Sequence, residues 1–206
     1  MNLAEKIRFH QQALKNCQKC PEMLGSPIIG EATATKIMLI GQAPGDKEEA
    51  IGKPFAWTAG KTLFKWFATI GVDEEHFRKR VYMAAVCRCF PGKKTRGGDR
   101  VPNKQEIETC SQWLQNEIQL LQPELIIPVG KLAINQFLAC NKLSDVIGKV
   151  FDTTIYGQNL QLIPLPHPSG ASTWHHTEPG KTLLQSALQL LSQHPQWKLL
   201  CNDLNS

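Results

Sequence analysis

The chain has 206 residues, 42% of them hydrophobic and 20% charged, with a formal net charge of +5. That length suits one α/β domain spanning 1–206 with a substantial buried core, and no apolar run is long enough to cross a membrane. The mild positive charge is compatible with a polyanionic partner without requiring one.

Residues 2–16 place Leu3, Ile7 and Leu14 on one helical face, and the helix ends at Cys17-Gln18-Lys19-Cys20-Pro21. Residues 36–41 read as a first buried strand that breaks at Gly41 into the tight turn Ala43-Pro44-Gly45. A helix is expected over 58–71, a second strand over 81–86, a Gly/Pro/basic loop over 90–103 and a helix over 104–121. Leu125–Val129 reads as a third strand, with Gly130-Lys131 opening a helix to about 139 and a short helical turn within 143–149. Leu160–Leu165 reads as a fourth strand ending at Pro166-His167-Pro168-Ser169. Pro179 starts a last long helix, and the tail after Pro195 reads as a short surface addition. Strands alternating with helices imply a parallel sheet covered on both faces, a three-layer α/β/α sandwich with a central four-stranded sheet.

Ligands of open α/β sheets bind at the carboxyl edge, where a strand ending in a Gly/Pro turn delivers backbone N–H groups. The segment Gly41–Gly45, followed by Lys53-Pro54-Phe55, therefore marks the site. Cysteines supply a second signal. No export signal is legible, so the chain is expected in the reducing cytoplasm, where its seven cysteines favour metal or cluster binding over disulfides. Cys17 and Cys20 have CxxC spacing, Cys87 and Cys89 follow the second strand, and Cys110 lies in the next helix. Chemistry alone leaves zinc and an iron–sulfur cluster equally open, and leaves Cys87 competing with Cys89.

Taken in order, CxxC, GQAPG, GKPF, VYMAAVCRCFPG, Cys110, LIIPVGKLA and HPSGAS resemble the uracil-DNA glycosylase superfamily, in particular its iron–sulfur branches. The resemblance runs from Cys17 to about Ser192. It implies a monofunctional glycosylase that removes a deaminated base, uracil by default, from damaged DNA, acting as a monomer. It favours a [4Fe–4S] cluster over zinc and gives Cys17, Cys20, Cys89 and Cys110 as ligands, with Cys87 at a plain strand position.

By the same resemblance, His167 donates to the uracil carbonyl as charge builds on it, and Phe55 stacks on the flipped base. Gly41, Gln42, Ala43, Pro44 and Gly45 line the water side and the base edge. Gln42 stands where the cluster-bearing branch has glutamate, so it orients a water but is no base. Asp46, Glu48 and Glu49 are the carboxylates nearest in sequence. Ala85 stands where relatives read the uracil edge with asparagine, which weakens discrimination among bases. Ser169, Gly170 and Ser172 are expected at the minor groove, and Lys93, Lys94, Arg96 and Arg100, with Arg88 beside them, at phosphates. Two rival readings follow: a slow or non-catalytic relative that binds damaged DNA, or a nucleotide-handling α/β enzyme with a structural metal.

Overall fold

The computed structural model describes residues 1–202. Helix α1 (Leu3–Lys15) opens with a capping box in which Asn2 and Glu5 each accept the other's backbone N–H. Strand β1 (Ile37–Gly41) follows a long connecting segment. Three helices come next: α2 (Glu48–Ile51), α3 (Thr58–Ala68) and α4 (Glu74–Arg80), before strand β2 (Tyr82–Ala85). The long helix α5 (Lys104–Leu121) has the expected bounds and its own capping box between Asn103 and Glu106. Then come β3 (Leu125–Pro128), α6 (Lys131–Ile134), β4 (Phe151–Ile155), β5 (Gln158–Leu162), α7 (Gly180–Gln193) and α8 (Pro195–Asn202).

The sheet order is β2-β1-β3-β5-β4, with β2, β1, β3 and β5 parallel. Alternation along β1 splits the core. Ile37 and Leu39 face a cluster with Phe64 and Phe67 of α3, Phe77 of α4 and Leu188 of α7. Met38 and Ile40 face a second cluster with Ile7 of α1 and Leu114 and Ile118 of α5. Helices thus cover both faces of the sheet, as the three-layer reading expects.

Four expectations are corrected. The sheet has a fifth strand, β4, antiparallel to β5. The hairpin joining them turns at Tyr156 and Gly157, both with positive φ, the backbone of a tight two-residue turn. The fourth strand lies earlier than 160–165: β5 ends at Leu162, and Leu165 makes only an isolated parallel bridge to Val129. The helix after Gly130 stops at Ile134, beyond which the chain tightens into turns with bonds from the Gln136 N–H to the Ala133 carbonyl and from the Phe137 N–H to the Ile134 carbonyl. The tail is not a surface addition either. Trp197 of α8 is fully buried against Phe67 and Phe77, and its indole N–H donates to the Ile70 carbonyl at 3.1 Å.

Candidate active site

The carboxyl ends of β1 and β2 and the segment after β5 open on one cleft of about 550 Å³. The chain reaches β2 on one side of β1 and then β3 on the other, so the cleft lies at the point where the strand order reverses. Gly41, Gln42, Ala43, Pro44, Gly45, Phe55, Ala85, His167, Ser169 and Ser172 all line it. Gly41 and Ala85 are paired in the β1–β2 register and stand side by side in one wall of the cleft.

Phe55 is buried with φ +52°, an uncommon conformation for a residue with a side chain. Several groups hold it there. Arg78 of α4 donates to the Pro54 carbonyl at 2.7 Å and to the Phe55 carbonyl at 2.9 Å. The Glu48 carboxylate is drawn toward its charged form by the nearby backbone N–H groups of Gly45, Ala56 and Phe55. At Gly41 a Cβ would come within 2.8 Å of the Phe55 ring, and at Gly60 it would collide with the Phe55 carbonyl. Two glycines and the Arg78 guanidinium therefore fix an aromatic face against the end of β1.

His167 follows the sheet edge where Gly130 leaves it room: a Cβ there would lie 3.0 Å from its ring. The Ser169 backbone N–H donates to His167 Nδ1 at 3.2 Å. An amide can only donate, so Nδ1 accepts and the ring proton sits on Nε2. Burial, with a smaller contribution from His175, holds the imidazole below its ordinary pKa and so neutral. The arrangement presents a neutral N–H donor in the cleft.

The carboxylates divide. Asp46 lines the cleft and is held below the usual carboxylate range chiefly by its hydrogen bond with Lys93. Glu48 is pushed up to about 7 by burial, against the pull of its backbone donors and Arg78. Glu49 turns away and accepts the Ser26 backbone N–H at 3.2 Å.

On the α1–α5 side of the sheet, Cys17, Cys20, Cys87, Cys89 and Cys110 line a second cavity of about 200 Å³. Burial raises the Cys20 thiol, with Cys110 and Cys17 adding to it. Burial likewise raises Cys89 to about 12, with Cys110, Cys17 and Cys20 adding. The four expected ligands thus lie within electrostatic reach of one another. Cys87 is fully buried beside Cys110, and its thiol holds that of Cys110 below the ordinary range. Among the described residues no three His, Cys, Asp or Glu side chains converge tightly enough for a single ion.

The basic loop is only partly free. Lys93 bridges Asp46 at 3.0 Å and Asp99 at 2.9 Å, which ties the loop to the turn after β1. Lys94 and Arg96 are exposed and make no ion pair among the described residues. Arg88 is not on that surface: its side chain is 2% exposed and pairs with the buried Glu117, which also accepts from Tyr82 at 2.7 Å. The expected grouping of Arg88 with the phosphate-contacting cations is corrected accordingly.

The family profile described as Uracil DNA glycosylase superfamily matches residues 27–192, which include every cleft residue named above. The chain belongs to the uracil DNA glycosylase superfamily. It is 31% identical over 166 residues to a Type-4 uracil-DNA glycosylase of Pyrobaculum aerophilum, covering 77% of this chain and 80% of the relative. It is 32% identical to a Type-4 uracil-DNA glycosylase of Saccharolobus solfataricus, covering 77% and 73%. A Type-5 uracil-DNA glycosylase of Pyrobaculum aerophilum is 24% identical, covering 58% and 64%.

Within this superfamily member, sequence reasoning missed Arg78 and Glu48 as the clamp on Phe55. Glu48 could be listed as a nearby acid, but nothing in the spacing shows that Arg78, 23 residues beyond Phe55, folds back onto it. It also missed Trp57, which lines the cleft while remaining exposed.

Proposed function

We propose that this protein hydrolyses the N-glycosidic bond between a flipped uracil and deoxyribose in DNA, as a monofunctional glycosylase of base excision repair. The single observation that carries the reading is the His167–Ser169 contact, which leaves Nε2–H as a preorganised donor in the cleft that holds Phe55. As the bond breaks, its electron pair leaves with the base and negative charge grows on the base carbonyl. A fixed donor at that oxygen stabilises the transition state without reorganisation. Phe55 supports the flipped ring, and its fixed backbone keeps the face in place before substrate arrives. Gln42 orients the water that adds to the sugar carbon; the cation there is electrophilic enough to need positioning more than deprotonation, and the water's proton neutralises the departing base.

Cys17, Cys20, Cys89 and Cys110 would hold a [4Fe–4S] cluster. All four line one cavity on the α1–α5 side of the sheet, which supports a group held by the four thiolates together, and the family resemblance favours the cluster over zinc. When bound, the cluster supplies iron–thiolate bonds that join the end of α1, the segment after β2 and α5. Ser169, Gly170 and Ser172 form the loop that meets the minor groove; the Ser172 N–H donates to the Ser169 carbonyl at 2.9 Å and tightens it. Lys94 and Arg96 contact phosphates, and Lys93 chiefly holds their loop. The reading treats 1–206 as one domain working as a monomer in the cytoplasm; no described helix is long and apolar enough to cross a membrane.

Ala85 favours a second reading, in which another deaminated base such as hypoxanthine is removed or damaged DNA is bound without cleavage. Its methyl offers no hydrogen bond to a base edge. Oligonucleotides containing uracil, hypoxanthine or xanthine, incubated with protein and then treated with alkali, decide between them. Alkali-dependent breaks at uracil support the main reading; breaks at hypoxanthine alone support the second. Binding without breaks on any substrate sinks both catalytic forms.

A further inference from the structure

We propose that Trp57 and Lys61 form a second nucleic-acid contact on the rim of the cleft, where the indole stacks on an unpaired base next to the flipped one and the ammonium meets the adjoining phosphate. This proposal rests on the DNA-glycosylase reading and extends its binding surface. Trp57 is 49% exposed, whereas Trp66, Trp113 and Trp174 are half-buried and Trp197 is fully buried. A large apolar ring left in water costs free energy that a partner can recover. Its position is specific, because it lines the same cleft as Phe55, two residues away.

The ring is also preorganised. Trp57 is the extended N-cap of α3 and its carbonyl accepts the Lys61 N–H at 3.1 Å. The residue two before it is fastened by Arg78 and Glu48. Little backbone freedom remains to be lost on binding. Lys61 sits one helical turn on, its ammonium over one face of the indole at 5.7 Å from the centroid, so the base stacks on the opposite face. An exposed aromatic face beside a cation is the pattern by which proteins hold single-stranded nucleic acid with little sequence preference.

The test uses the full-length protein and a thymine-only single strand, so that no base release is needed for a signal. Titration should quench the tryptophan emission of the wild type, and Trp57→Phe should lose most of that quenching. Trp57→Ala should bind the strand about ten-fold more weakly, Trp57→Phe less so, and Lys61→Ala should reduce the salt dependence of binding. Both Trp57 variants should melt like the wild type, since the ring packs at the surface. Equal quenching in Trp57→Phe, or unchanged affinity in Trp57→Ala, would overturn the proposal. A wild type that releases no uracil but shows Trp57-dependent quenching would sink the glycosylase reading and leave the rim contact standing. Uracil release with Trp57-independent binding would do the reverse.

Discussion

The Ser169 backbone N–H donates to His167 Nδ1, and this one contact assigns the ring proton to Nε2. It also ties the donor to the loop proposed to enter DNA, so docking that loop and aligning the donor are mechanically linked. His167→Ala should lower kcat by about 10²- to 10³-fold, with a smaller change in KM, because the donor acts on charge that develops only in the transition state. Single-turnover base release measures it. Since burial lowers the His167 pKa, the ring is neutral above its ordinary 6.5. Its contribution to stability is present above that value and is lost as pH falls through the lowered folded value. Activity should therefore fall on acidification, as Nδ1 gains a proton facing the Ser169 N–H.

Glu48 has the opposite sign. Burial raises it from 4.5 to about 7, so its contribution to stability is fully present below the unfolded value and is lost as pH rises through about 7. The expected loss is up to about 3 kcal/mol, reduced by relaxation around the carboxylate. Glu48→Gln should flatten the dependence of Tm on pH between 4.5 and 7.5. It should also raise KM, because the Phe55 backbone loses part of its anchor. A Glu48→Gln variant whose Tm follows pH as the wild type's does would contradict the assignment.

The cysteines give a paired test. Cys89→Ala should lose iron and visible absorbance, whereas Cys87→Ala should keep the wild-type iron content and lose only about 1 kcal/mol of stability from a small buried gap. Iron retained in Cys89→Ala and lost in Cys87→Ala would reverse the ligand assignment. One zinc and no iron in the wild type would reject the cluster.

Neutralising Lys94 and Arg96 together should weaken DNA binding and reduce the slope of log affinity against log salt by about 1.4 to 1.8, as two fewer phosphates are contacted. Lys93→Ala should change that slope less, because its charge is already shared by Asp46 and Asp99. Binding isotherms at several salt concentrations separate the two. A slope that Lys93 dominates would show that DNA breaks those ion pairs.

The sequence by itself determined the layered α/β plan, the cleft-lining turn at Gly41–Gly45 and the family. These are local matters: apolar runs of strand length, helices with caps such as Asn103, and a Gly/Pro turn at a strand end are visible in a few consecutive residues. Even the β4–β5 hairpin had a signal in its Tyr156-Gly157 turn, although its half-exposed edge strand lacked the apolar run of the others. Tertiary structure alone decided what depends on distant partners. It buried Arg88 against Glu117, folded α8 so that Trp197 entered the core, and brought Arg78 to Phe55. A charged residue reads the same in sequence whether it faces solvent, a buried carboxylate or a strained loop, because its free energy is set by neighbours that only the folded chain supplies.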